Sequence, residues 1–170
     1  MAIAIEPLGK HHDRSQFSCG NAALDEWFRY RAGQDERRNV ARVFVARDDE
    51  LGVAGFYSLS AFTLAIEDVP EDLAGKLPRY DAIPAAFIGR LARDERARER
   101  GLGELLLADA VRRILTAGRS LAVFAIIVDA KERAAAAFYE SFGLRRFPTR
   151  PGRLFLPTST AAQALTRASK

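Results

Sequence analysis

The stretch Arg96-Ala97-Arg98-Glu99-Arg100-Gly101-Leu102-Gly103-Glu104-Leu105-Leu106-Leu107 sets three arginines and two glycines directly ahead of a leucine-rich helical run. Glycine lets a backbone come close to a ligand, and the arginines beside it point to a ligand with negative charge. The stretch falls between a predicted strand and a predicted helix. The first N–H groups of such a helix have no intrahelical partner, and its start carries roughly half a positive charge. Phosphate is the natural occupant. A Walker loop is excluded, because Gly103 is followed by Glu104-Leu105 where Lys-Ser or Lys-Thr would be needed. A Rossmann fingerprint fits poorly: Leu106 stands where a third small residue belongs, and the loop comes later than the first βα unit.

Few other residues offer chemistry. Cys19 is the single cysteine, and His11 and His12 lie in a polar leader, so it reads as a small core or capping residue without a histidine partner. The two adjacent histidines are expected to point apart, and no cluster of ligands follows, so no metal site is predicted. Trp27 reads as core. A lone cysteine implies a reducing compartment. The chain has no 18-residue apolar run, and its N-terminus lacks the layout of a signal peptide. A cytoplasmic protein without membrane contact is expected.

Net charge is +4, and its distribution is more informative than its total. Trp27 to Arg47 holds Arg29, Arg31, Arg37, Arg38, Arg42 and Arg47 against Asp35 and Glu36. Arg145 to Arg153 holds Arg145, Arg146, Arg150 and Arg153 and no acid. Between them, Asp48 to Pro84 holds eight acids against Lys76 and Arg79. Two basic segments flanking an acidic one are either solvated faces or a surface for a polyanion.

Periodicity and punctuation supply the elements that must position the loop. Ala2 to Ile5 is a short strand. Ser18 to Asn21 offers caps for a helix from Ala22 through Arg37. Val43–Ala46 and Gly52–Leu64 read as strands joined by a tight turn, and Pro70 opens a short helix. A strand over Ala85–Ala92 precedes the loop, and the helix after it stops at Gly118. Leu121–Val128 is an apolar strand buried on both faces. Asp129 to Glu132 resembles a capping box for a helix through Phe142, ended by Gly143. Strands near Leu144–Pro148 and Arg153–Pro157 meet at Pro151-Gly152, and the tail from Thr158 is small, polar and frayed. The order predicts one α/β (α+β) domain with a mixed sheet, over residues 1–160, followed by a frayed 161–170.

The pattern Arg98-x-x-Gly101-x-Gly103 resembles the pyrophosphate loop of the GNAT acetyltransferases. Phe87 to Asp94 is similar to that family's strand that hydrogen-bonds pantetheine. Ala137-Phe138-Tyr139-Glu140-Ser141-Phe142-Gly143-Leu144 is similar to its A-x-x-F-Y-x-x-x-G-F segment, with Leu144 in place of the aromatic. The resemblance covers roughly residues 40 to 157. It implies a mostly antiparallel central sheet flanked by helices, and acetyl-CoA as co-substrate without a metal. Leu91, Ala92, Arg93, Arg98, Glu99, Arg100, Gly101, Leu102, Gly103 and Glu104 would surround the coenzyme. Tyr139 would be the general acid at the departing sulfur.

A narrower resemblance joins Phe17 to Trp27, Ala32, Gln34, Arg42 to Val45, Phe147-Pro148 and Leu154 to Pro157 to the TacT/AtaT/ItaT-type toxins. It implies acetylation of the amino acid on charged tRNA, a ribbon–helix–helix antitoxin, and a homodimer. Arg29, Arg37, Arg38, Arg90, Arg145, Arg146 and Arg150 would then bind tRNA phosphates. The amine chemistry agrees. A lysine ε-amine, with a pKa near 10.4, needs a positioned base, whereas an α-amine near 7.7–8.0 is largely neutral at cellular pH. The strand before the loop holds no carboxylate, and Asp94 lies just past its end. Acetylation of a small amine or a protein N-terminus, and coenzyme A binding without catalysis, stay open at this point.

Overall fold

The computed structural model describes residues 2–77 and 80–168. Its elements are β1 (Ile3–Pro7), α1 (Ala22–Tyr30), α2 (Ala32–Arg37), β2 (Arg42–Asp48), β3 (Gly52–Ala65), α3 (Glu71–Ala74), β4 (Ala82–Arg93), α4 (Leu102–Ala117), β5 (Ala125–Asp129), α5 (Arg133–Ser141), β6 (Arg145–Arg146), β7 (Arg153–Pro157) and α6 (Thr158–Ala168). The strands form one mixed sheet in the order β1-β2-β3-β4-β5-β7-β6. The ladders β1–β2, β2–β3, β5–β7 and β6–β7 are antiparallel. The chain divides into two compact units, Met1–Ser60 with Ile88–Ala110, and Ala61–Phe87 with Val111–Lys170.

The first unit is built on aromatic packing. Phe17, Trp27 and Phe28 from the N-terminal half meet Val43, Val45, Val53, Phe56 and Ala92 of the strands. Phe28 lies flat on Phe56 with ring centroids 4.0 Å apart. The single helix expected over Ala22–Arg37 is two: Asn21 caps α1 by accepting from the Leu24 N–H, and the chain breaks at Arg31. The Trp27 indole N–H donates to Asp35 at 2.9 Å, so the break lets α2 fold back onto the tryptophan. The second unit packs Leu64, Val69, Ala85, Ala125, Ile127, Phe147 and Phe155.

Three local expectations are corrected in the second unit. β5 begins at Ala125 and not Leu121, because Gly118 to Leu121 wind off the end of α4, with the Leu121 N–H bonded to the Ala117 carbonyl. Within the strand, Ala125 to Val128 are buried on both faces, as the apolar run predicts. Asp129 does not cap a helix. It pairs with Arg153 at 2.8 Å, and α5 starts at Arg133 without a side-chain cap. The small polar tail forms α6, seated by the Thr158 hydroxyl donating to the carbonyls of Val123 and Phe124. Ser169 and Lys170, the last of the expected frayed tail, lie outside the described residues.

α4 is the element that presents the loop, and β3 seats it. The Tyr57 hydroxyl donates to Asp109 on α4. Gly55 leaves room for the helix: a Cβ there would stand 3.0 Å from Leu106 Cδ1, 3.1 Å from the Ala92 carbonyl oxygen and 3.3 Å from Leu102 Cδ2. Gly55→Val would force α4 off the strand. The expected cost is about 1–3 kcal/mol of unfolding free energy, read as a lower urea midpoint. An unchanged midpoint would show that the helix does not need this close approach.

Candidate active site

The loop belongs to the first unit. β4 ends at Arg93, Asp94 caps a 3₁₀ turn over Glu95–Ala97, and the chain reaches α4 through Arg98 to Gly101. Glu99 and Gly101 both take left-handed backbone, with φ of 66° and 70°. For Gly101 this is free, and the space where a Cβ would stand holds only Glu104 Oε2 at 3.7 Å. For Glu99 it costs about 1 kcal/mol, a strain that the surrounding structure must hold. The first helical bond is donated by Leu105 to Gly101 at 3.2 Å. Among the described residues nothing accepts from the N–H groups of Leu102, Gly103 and Glu104. Leu91, Ala92 and Arg93 are the last residues of β4, with Ala92 buried and its neighbours half-buried.

The three loop arginines, alike in the sequence, differ in the structure. Arg96 forks onto Asp94 with contacts of 2.9 and 3.0 Å, and Arg100 reaches Asp48 at 3.4 Å. Both acceptors are buried carboxylates. Among the described residues the Arg98 side chain meets only Glu95, at 3.8 Å between two exposed side chains, a contact worth little in water. Arg98 is therefore the cation most easily turned to a bound anion. Burial pushes the Asp94 carboxyl up, but hydrogen bonds from the Arg96 side chain and from the backbone of Arg96 and Ser18 outweigh it and hold the group below the ordinary range. With both oxygens already accepting hydrogen bonds and its basicity lowered, Asp94 is a poor general base.

Tyr139 belongs to the second unit. It is the buried aromatic of α5, beside Ala136, while Phe142 is 44% exposed and stacks edge-on with Phe138 outside it. In the structure Tyr139 itself faces inward. Among the described residues its hydroxyl has no hydrogen-bond partner. Burial pushes its pKa up to about 12, so the phenol keeps its proton at every physiological pH.

The arginines expected to meet tRNA fall into two sets. Arg37 and Arg38 are exposed. Arg29 turns inward to donate to the Phe17 carbonyl, leaving its Nε buried without an acceptor, and the Arg90 guanidinium lies 3.9 Å over the Trp27 ring. In the second unit Arg145 pairs with Asp72, Arg146 with Glu140 and Arg150 with Asp68.

The histidines are a correction. Their rings lie 4.0 Å apart, and both reach Glu6 Oε1, His11 at 3.4 Å and His12 at 2.7 Å. This group has the residue types for a metal. However, the Gly9 N–H donates to His12 Nδ1, which puts the His12 proton on Nε2, aimed at Glu6. A ligating nitrogen would need its lone pair there, so the cluster ties down the N-terminal turn. Cys19 is likewise inert, its thiol pushed up to about 11 by burial and by Asp25.

Residues 10–144 match the acetyltransferase (GNAT) family. The chain belongs to that family. Its GNAT relatives include a probable toxin TacT of Sinorhizobium fredii, 33% identical over 92% of this chain and 91% of the relative. A tRNA-acetylating toxin of Mycobacterium tuberculosis is 37% identical over 85% of each. Among solved GNAT structures, AtaT complexed with acetyl-methionyl-tRNAfMet superposes with a TM-score of 0.88 at 25% identity, over 96% of this chain and 99% of that one.

The state of Tyr139 is directly measurable. Because its folded pKa lies above the ordinary value near 10, its contribution to stability is whole below pH 10 and is lost as pH rises through 10 towards 12. In a spectrophotometric titration, the difference between the wild-type chain and Tyr139→Phe should show one phenol ionising near 12 or only on alkaline unfolding. A difference centred near 10 would mean that the group is not buried.

Proposed function

We propose that this chain is an acetyl-CoA-dependent N-acetyltransferase that acetylates the α-amino group of aminoacyl-tRNA and so blocks translation. The observation that carries the reading is the open start of α4, three unpartnered N–H groups behind Arg98 and Gly101. They suit the diphosphate of acetyl-CoA, the co-substrate expected in this family. The Mycobacterium tuberculosis relative and AtaT with its acetylated tRNA supply the acceptor. Leu91 to Arg93, the last residues of β4, would bind pantetheine. The exposed Arg37 and Arg38 suit tRNA phosphates, joined by Arg145, Arg146 and Arg150 where phosphate competes with their surface carboxylates. A ribbon–helix–helix antitoxin, a homodimer and a cytoplasmic site of action belong to the same reading. The described helices include none long and apolar enough to cross a membrane.

In the reaction the neutral amine attacks the thioester carbonyl, the tetrahedral intermediate collapses, and the C–S bond breaks to release coenzyme A. The amine's surplus proton leaves to water, which an α-amine near pKa 8 permits. In this reading Tyr139 would serve the leaving sulfur, and its hydroxyl is unspent and protonated. Its pKa of about 12 stands about 3.5 pK units above an ordinary thiol, about 5 kcal/mol against full transfer. Its task is thus to donate a hydrogen bond as charge builds on sulfur. Tyr139→Phe keeps the ring and its burial. Single-turnover transfer of labelled acetyl to charged tRNA should fall roughly 10²- to 10⁴-fold, with acetyl-CoA affinity near wild type. A rate within a few-fold of wild type would move the donor to water or another group.

A further inference from the structure

We propose that Asp94 is the positioning residue of the phosphate loop, its buried carboxylate holding the loop in the shape that leaves the start of α4 open. The proposal rests on the reading that this loop receives the diphosphate of acetyl-CoA. Asp94 is 1% exposed, and four hydrogen bonds converge on it. The Ser18 N–H donates at 3.2 Å, the Arg96 N–H at 2.9 Å, Arg96 Nε at 2.9 Å and Arg96 Nη2 at 3.0 Å. Its own N–H donates to the Ala54 carbonyl of β3 at 2.7 Å, and its carbonyl accepts from Ala97 at 3.0 Å. One residue therefore joins the end of β4, the adjacent β3, the segment ahead of α1 and the first turn of the loop.

The next residue repeats the tie. The Glu95 N–H donates to the Ser18 carbonyl at 2.9 Å, and a Cβ on Gly20 would lie 2.8 Å from Glu95 Oε1, so the two segments pass each other closely. A carboxylate buried for packing alone would be a costly choice, since an apolar side chain fills space without needing four donors. What an apolar residue cannot do is direct the chain. Asp94 turns the backbone from strand into 3₁₀ turn, and by forking Arg96 it takes that guanidinium out of the anion's place while Arg98 stays loosely held. The left-handed Glu99 needs such a hold, because a free loop would relax that strain. Asp48, buried and bonded to Arg100, holds the loop further along.

The test compares two acetyl donors, acetyl-CoA and S-acetylpantetheine, which lacks the diphosphate, with charged tRNA as acceptor. In Asp94→Asn, acetyl-CoA affinity by calorimetry and its kcat/KM should fall about 10- to 100-fold, as for loss of charge-assisted hydrogen bonds. Turnover at saturating acetyl-CoA should stay within about threefold, and kcat/KM for S-acetylpantetheine should not move. Arg96→Gln removes two of the four bonds from an exposed side chain and should give the same split at about 3- to 10-fold. It carries the test should the Asn variant not fold. Equal losses for both donors, or no loss for acetyl-CoA, would overturn the positioning role. A wild-type chain that uses both donors equally well would overturn the loop reading itself, and is read before any variant.

Discussion

The surroundings of the loop in the first unit meet one constraint: the start of α4 is held rigid and yet left unsatisfied. A helix terminus normally closes its free N–H groups with a capping side chain. Here Leu102, Gly103 and Glu104 keep theirs open. Rigidity is supplied from around them. Gly55 lets the helix settle against β3, the Tyr57 hydroxyl holds Asp109, and two buried carboxylates grip loop arginines on either side of Arg98. Such preorganisation would lower the cost of binding the doubly charged diphosphate proposed for this site, because no loop would have to be ordered when the ligand arrives.

The positive charge is spent in the same selective way. A sum over the sequence treats the arginines as one field. In the structure Arg29 and Arg90 are packed among backbone carbonyl and indole, Arg96 and Arg100 are tied to buried acids, and Arg145, Arg146 and Arg150 sit in surface ion pairs. The surface pairs are weak and exchangeable, so those arginines stay accessible to a polyanion. Two arginines of equal charge can thus differ in kind, one tied into the scaffold and one left loosely held at the surface.

Much of this was legible in the chain. The strand–loop–helix around Gly101 and Gly103 followed from local punctuation, and the burial of β5 from an uninterrupted apolar run. What stayed hidden depends on partners distant in sequence. Asp129 has the look of a helix cap until Arg153 is beside it, and the two histidines look divergent until Glu6 lies across from both. Asp94 carried only a faint signal, an acid two residues ahead of an arginine at the end of a strand; its bond to Ser18 spans the sequence and could not be read from it. Tyr139 was singled out by resemblance, but its inward placement and unpartnered hydroxyl come from the fold of α5.

The central claim is that the open N–H groups of α4 hold the diphosphate. Amide resonances of the ¹⁵N-labelled chain, followed as acetyl-CoA is added, test it most directly. The account predicts that Gly101, Leu102, Gly103 and Glu104 shift most, and that S-acetylpantetheine leaves these four unmoved. Saturation by acetyl-CoA with these amides unchanged, and the largest shifts elsewhere, would contradict it.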